Sequence, residues 1–405
     1  MTLTQGQQEA VSKCFAFLND PKAKLFALFG AGGTGKTFVL SHIKSCLPNF
    51  AAGIKLATGI DVVTQMRFTA TTNKAARVLG DYLDEPVGTI YSFLGITLSP
   101  GENGDYRLNF KRARVFYEHA IVVIDEATFL TQHMLDNVLK LMPNCKIILV
   151  GDPYQLLAVK GTRLDLKAIG QEWGAELTEI KRCTPALTQF YMDLREGVIQ
   201  EQDVEIVTAP PSILVADGPE FEDWVQELFI RNTWNPDKAR ILTYTNAQAN
   251  AYNAYIRQAL GKAPTVQSGD LVIVNSYCKG LTTDSEIILG EEQTRIRSYG
   301  ITLRVFSSEA VEQGFVLVPA DFEEYRHAMK IAANDKDWST YFFLKEQVCD
   351  VRDPYSMTIH KSQGSTYQFS LTDLGNLGQC RARDTQRRLK YVGGSRASEM
   401  FIGCL

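Results

Sequence analysis

The feature that most limits how this chain can fold is an octapeptide near its start. Gly30-Ala31-Gly32-Gly33-Thr34-Gly35-Lys36-Thr37 fits the pattern G-x-x-x-x-G-K-[ST]. The apolar run LFALF at 25–29 precedes it and reads as a buried strand; a helical stretch from Lys36 to about Leu47 follows. Strand, glycine-rich turn and helix in that order make a phosphate-binding loop. The glycines let backbone N–H groups wrap phosphate oxygens at a helix N-terminus. Lys36 then reaches the β- and γ-phosphates, and the Thr37 hydroxyl is placed to ligand Mg²⁺.

Two further apolar runs end on polar residues in the same way. IVVI at 121–124 runs into Asp125 and Glu126, and IILV at 147–150 into Gly151 and Asp152. Strands that end on functional residues, with helices between them, predict a parallel α/β sheet with its site at the strand C-termini. In that setting Asp125 holds Mg²⁺ through water and Glu126 orients or deprotonates an attacking water. Gln155, in Gly151-Asp152-Pro153-Tyr154-Gln155-Leu156, is a neutral group able to sense a γ-phosphate, or else a loop-capping amide.

Length and composition set the outer limits. With 405 residues, two to four domains are expected at roughly 100–200 residues each. Hydrophobic residues make up 45% and charged residues 22%, ordinary for a globular chain. The net charge of −4 does not advertise a nucleic-acid partner, so local motifs must decide. The eight cysteines contain no C-x-x-C pair, and reduced, mostly buried thiols are expected. The N-terminal MTLTQGQQEA lacks an apolar signal core and no apolar run nears the ~20 residues of a membrane span, so a cytoplasmic location is expected.

The second half repeats the α/β theme. RILTY at 240–244 reads as a strand running into Thr245 and Asn246, with a helix over 247–260. Residues 263–354 carry alternating runs, SGDLVIVNS and GITLRVFSS, and read as a small β-rich insertion. TLSPGENGDYRLNF at 97–110 is punctuated by Pro and Gly between strand-like ends and predicts a β-hairpin. The basic cluster Arg381, Arg383, Arg387, Arg388 and Lys390 reads as a solvated helix face.

The order of these segments resembles the superfamily 1B DNA helicases, and within them the RecD-like, Dda-type helicases of T-even phages. Leu3-Thr4-Gln5-Gly6-Gln7 is similar to the Q motif, residues 30–37 to motif I, and Thr69–Ala76 and Thr89–Leu94 to the first strand-contacting motifs. Residues 125–128 resemble motif II, 151–156 motif III, Leu177–Arg182 motif IV, Thr358–Ser365 motif V and Tyr391–Ala397 motif VI. Ser395 stands where the family usually has Thr, and Thr71 where Dda-like proteins often have Pro.

The resemblance implies an α/β chain of two RecA-like P-loop domains. A pin hairpin and a small Src-homology-3-like β-barrel would be inserted into them. Residues 1–88 and 117–180 would form the first domain, 89–116 the pin, 181–262 and 355–405 the second domain, and 263–354 the insertion. It implies an ATP-dependent helicase using ATP and Mg²⁺, moving 5′ to 3′ on single-stranded DNA and opening duplex junctions in replication or recombination. Such a motor works as a monomer, with a single-strand-binding or replisome protein as a further partner. An RNA translocase of the same superfamily and an ATP-gated clamp that does not unwind are the alternatives. Lys36, Asp125, Glu126, Gln155 and two arginine fingers, Arg182 and Arg396, would be catalytic. Gln7, Gly30, Gly32, Gly33, Thr34, Gly35, Lys36, Thr37, Gln363 and Gly364 would line the nucleotide, Gln7 by reading adenine. Thr37 and Asp125 would hold the metal. The strand would be contacted by Thr71, Thr72, Asn73, Lys74, Tyr91, Phe93, Tyr106, Phe110, Thr245, Asn246, Thr358, His360 and Ser365.

Overall fold

The apolar runs at Leu25–Gly30, Ile121–Asp125 and Lys146–Gly151 are strands, buried along nearly their whole length. Strands that are apolar on both faces belong inside a parallel sheet covered by helices on both sides. Six strands lie here in the order 88–89, 66–70, 121–125, 146–151, 25–30, 174–177, and every neighbouring pair is parallel. Alternate residues feed two cores. Ile121 and Val123 join Phe17, Phe26, Leu40 and Ile43 on one face. Val122 and Ile124 join Ile90, Leu135 and Leu149 on the other.

The computed structural model describes residues 2–59, 61–100, 106–156, 162–180 and 183–405. The chain divides into two compact units. The first is Met1–Leu98, Leu108–Ile206 and Ala382–Glu399; the second is Ser99–Arg107, Val207–Arg381 and Met400–Leu405. In the first, register aligns Ala70 with Asp125, Ile124 with Leu149, and Phe29 with Gly151. The strands therefore finish along one edge, which gathers the loops that follow them. Helices Pro185–Ile199 and Arg383–Gly394 both lie in this unit. They pack closely: a Cβ at Gly394 would lie 2.6 Å from Leu194 Cδ1.

The second unit holds a five-stranded sheet in the order 356–358, 239–243, 367–373, 397–404, 213–216. Strand Ala239–Thr243 is buried throughout and parallel to both neighbours. The segment 263–354 contains two three-stranded sheets, 286–288/271–274/351–352 and 292–298/301–307/315–319. It is less purely β than the alternating runs suggested, because helices Phe322–Asn334 and Trp338–Gln347 lie within it. The expectation of reduced thiols fails at one pair: Cys278 and Cys349 form a disulfide. They stand 71 residues apart, and folding of the insertion brings them together in one apolar core. Nothing in their spacing could indicate that. The expected hairpin is present as paired strands Thr97–Pro100 and Tyr106–Asn109; its tip, 101–105, lies outside the described residues.

Candidate active site

The loop 30–37 leaves its strand at Gly30, where a Cβ would sit 2.3 Å from the Leu177 carbonyl oxygen. It enters helix Lys36–Thr58 through Gly35, which is left-handed at φ 83° and offers no side-chain cap. An uncapped helix start of this kind suits an anion, and its first turn carries no acidic residue to compete. The Lys36 ammonium donates to the carbonyls of Gly30 (2.8 Å) and Ala31 (3.0 Å). The Thr34 hydroxyl donates to Ala31 O at 2.8 Å, tightening the turn.

Gln7, expected to read adenine, is tied to this loop. Its Nε2 donates to Thr34 O at 3.0 Å, while its Oε1 accepts from Thr4 N at 3.1 Å within the capping box of helix Gln5–Asn19. Both ends of the amide are engaged by the protein, and the side chain is buried.

Asp125 and Glu126 close strand 121–125. Glu126 is held at φ 51°, a left-handed conformation rare outside glycine and common at functional turns. Asp125 Oδ1 accepts the Glu126 N–H at 2.9 Å. Burial raises the Asp125 carboxyl above its ordinary value, against the opposing pull of that N–H and of Lys36. Glu126 is pushed up to about 7, first by burial and then by Asp125; Lys36 and Arg396 oppose the rise and Asp152 adds to it. Two carboxylates, Lys36 and Arg396 therefore share one electrostatic neighbourhood.

Gln155 and Arg396 reach the same loop. A Cβ on Gly32 would lie 3.9 Å from both Gln155 Nε2 and Arg396 Nη2. Arg396 is buried; its Nε donates to Val392 O (3.0 Å) and its Nη2 to Ser395 Oγ (2.7 Å). Arg182, the other expected finger, lies outside the described residues.

The strand-contact residues divide. Thr71 is buried and donates its hydroxyl to Glu126 O at 2.8 Å, so its side chain ties two loops together. Thr72 caps helix Asn73–Leu83, whose first residue, Asn73, is exposed, with Lys74 half-buried beside it. Tyr91, Phe93 and Phe110 pack against the core, Phe93 with its ring 5.2 Å from that of Phe116. Nothing is described of the Tyr106 side chain. In the second unit Thr245 caps helix Asn246–Ala259, and Thr358 ends a buried strand. His360 is exposed, 6.3 Å from the Tyr244 ring, and Gln363, Gly364 and Ser365 follow in the same loop.

Three groups of contacts escaped the sequence reading. Arg352 donates to Asn246 Oδ1 at 2.9 Å, adding a guanidinium to the expected strand-contact group. Lys361 donates to Asn275 Oδ1 at 2.6 Å and pairs with Asp284 at 3.3 Å, which joins the 358–365 loop to the insertion. The basic face of helix 383–394 is largely engaged by protein. Arg383 and Arg387 pair with Asp203, and Arg388 donates to the carbonyls of Pro153 and Gln155, both at 2.9 Å. In each case the partner is distant in sequence, and only the basic residue types could have been flagged.

The sheet order and this site define a P-loop nucleotide-binding fold. Residues 2–212, just over half of the chain, match the model of the AAA domain family, and the chain belongs to that family. It is 22% identical to an uncharacterized protein of Acanthamoeba polyphaga mimivirus, over 97% of this chain and 98% of that one. Among solved structures it is similar to a Pif1 helicase described in DNA unwinding at forked double-stranded DNA, with TM-score 0.53 and 16% identity, covering 100% of this chain and 92% of that one. It is likewise similar to the Pif1 helicase from Bacteroides in complex with ADP-AlF3 and single-stranded DNA, with TM-score 0.51, 15% identity and the same coverage. The chain thus has the fold of these helicases, with RecA-like parallel sheets. Among the described residues, no helix is long and apolar enough to cross a membrane.

Proposed function

We propose that this chain is an ATP-dependent DNA helicase of superfamily 1B that moves along single-stranded DNA and separates duplexes. The observation that carries the reading is the convergence of Lys36, Asp125, Glu126, Gln155 and Arg396 on one glycine-rich loop. The solved relatives, described with ADP-AlF3 and single-stranded DNA or with forked DNA, fit it. On the motif resemblance, the chain is a Dda-type motor with 5′ to 3′ polarity.

In this reading the loop N–H groups and Lys36 take the phosphates of ATP, Lys36 exchanging the Gly30 and Ala31 carbonyls for phosphate oxygens. Glu126 accepts a proton from water as its oxygen bonds to the γ-phosphorus and the bond to the β,γ-bridging oxygen breaks. Its raised carboxyl suits that step, since a base with a value near working pH transfers protons efficiently. Gln155 orients the water, and Arg396 meets the charge that grows on the transferring group. Asp125 and Thr37 are hard oxygen donors. The upward push on both buried carboxyls is the charge deficit that a divalent cation relieves. Mg²⁺ held there would supply charge neutralisation at the β- and γ-oxygens. Asn73, Lys74, Asn246, Arg352 and His360 supply short polar and cationic contacts suited to a sugar-phosphate backbone read without regard to sequence.

The test is unwinding of 5′-tailed and 3′-tailed duplexes with and without ATP, beside ATP turnover stimulated by DNA and by RNA strands. Opening of the 5′-tailed DNA duplex, dependent on ATP, is expected. Stimulation by RNA alone would move the chain to the RNA translocases. DNA-stimulated turnover without strand separation would make it a translocating clamp.

A further inference from the structure

A cavity of about 270 Å³ lies within the second unit. Helix Asn246–Ala259, the segment 264–266, the start of helix Phe322–Asn334 and residues 350–353 enclose it. Ala254, Pro264, Val266 and Phe322 give it apolar walls, and Asn250 and Arg352 give it polar ones. Its volume falls just short of the ~300–1,000 Å³ of sites for drug-sized ligands, which leaves room for one ring system. Two further lining residues are fixed by the protein. Asn253 exchanges hydrogen bonds of 2.7 and 3.1 Å with the Ser356 backbone, and Arg257 pairs with Asp270 at 2.7 Å and Asp353 at 2.8 Å. Groups tied in this way hold the cavity in one shape.

Arg352 is different. It is half-buried, yet it donates to Asn246 Oδ1 alone, at 2.9 Å, and enters no ion pair among the described residues. A guanidinium carries five N–H donors, so most of its capacity is unspent. Burial pulls it below its ordinary value; Asp350 resists that pull, and Arg326, which also lines the cavity, adds to it. A half-buried cation with donors to spare suits an anionic partner.

We infer that the cavity takes one base of a single strand whose phosphate is held by Arg352 and Asn246. The inference rests on the reading of Asn246 and its neighbours as strand contacts. Arg352 joins the two places, because it lines the cavity and is bonded to Asn246. Asn250 follows Asn246 by one helical turn, about 6 Å along the axis, so a base attached at that phosphate is within reach of the cavity. Apolar walls accept the face of any base, in keeping with a grip that ignores sequence. The Asn250 amide offers both a donor and an acceptor to a base edge.

The experiment is equilibrium binding of two labelled strands to the full chain, read by fluorescence anisotropy at one fixed salt concentration. One strand is oligodeoxythymidine; the other is an abasic sugar-phosphate of the same length. Ala254 is exposed on its helix and lines the cavity, so Ala254→Trp fills the space. This variant should bind oligodeoxythymidine about tenfold more weakly, the size of one lost base contact, and the abasic strand within about twofold of the parent. Arg352→Ala should weaken both strands by the same factor, as loss of a phosphate contact does. Equal losses on both strands for Ala254→Trp, or no loss on either, would overturn the inference. Unchanged binding by Arg352→Ala would overturn it too, by breaking the link between strand and cavity. Should Ala254→Trp fold poorly by thermal melting, Asn250→Trp, one turn away on the same cavity, replaces it with the same outcomes. A wild-type chain that binds no single strand would instead overturn the functional reading, which is seen before any variant is compared.

Discussion

The ammonium of Lys36 lies on the carbonyls of Gly30 and Ala31, so a polyphosphate entering the loop has to draw it away from them. Replacing it with Ala deletes the charge and leaves the glycine turn in place. We expect Lys36→Ala to lose DNA-stimulated hydrolysis by at least about 10²-fold while the thermal transition stays close to the parent's. Turnover near the parental rate would sink the phosphate-loop reading. Arg396 differs in kind, because its guanidinium is buried and bonded to Val392 O and Ser395 Oγ. Arg396→Ala should cost about 10³–10⁵-fold in kcat and far less in nucleotide affinity. Arg396→Lys should not restore the rate, since an ammonium lacks the planar fork. Weakened binding with normal kcat would make Arg396 a ligand of the ground state. Lys36, Asp125, Glu126 and Arg396 were legible in the sequence because each sits in a short contiguous pattern. Tyr391, Arg195 and Arg388 meet partners as far away as the 239 positions from Tyr391 to Asp152, and no local pattern encodes such contacts.

At the scale of elements, strands were easiest to read where burial on both faces turned them into unbroken apolar runs, as at 121–125 and 146–151. Helix Trp338–Gln347 was missed for the opposite reason. WSTYFFLKEQ places aromatic residues at 338, 341, 342 and 343, which spread around the helix rather than forming one stripe, and the periodic signal vanishes. The hairpin was legible from its Pro and Gly punctuation, and its flanking strands 97–100 and 106–109 do pair. Its role can be separated from the motor's. The phosphate loop, the Asp-Glu strand end and helix 383–394 all lie outside it, so a chain without it should still turn over ATP. Duplex opening must overcome stacking of roughly 1.4 kcal/mol per step, which calls for a rigid element at the junction. We expect replacement of residues 100–108 by a short Gly-Ser turn to keep DNA-stimulated ATP turnover within about twofold and to abolish strand separation. Unwinding at the parental rate would place strand separation elsewhere.

The whole molecule is two compact units, each with its own parallel sheet, and the disulfide belongs to the second. The α/β texture of both halves was legible in their apolar runs. The assignment of helices 185–199 and 383–394 to the first unit was not, because it depends on long-range contacts such as Arg195 to Glu176 and Tyr391 to Asp152. This arrangement predicts how stability is distributed. Cys278 and Cys349 close a loop spanning 71 positions, and chain entropy alone gives such a cross-link roughly 4 kcal/mol, most of it through the unfolded state. Both sulfurs are buried in the insertion core, so a reductant reaches them only when that core opens. The clean comparison is therefore between the oxidised chain and a chain carrying both Cys278→Ala and Cys349→Ala, read by amide hydrogen exchange. Amides of strands 271–274, 301–307 and 315–319 should exchange faster in the variant, by a factor of up to about 10³ where exchange needs opening of that core. Amides of strands 121–125 and 146–151, in the first unit, should keep their parental rates. Equal acceleration in both units would mean that they open as one cooperative body, and unchanged rates in the insertion would mean that the bond adds nothing to its stability.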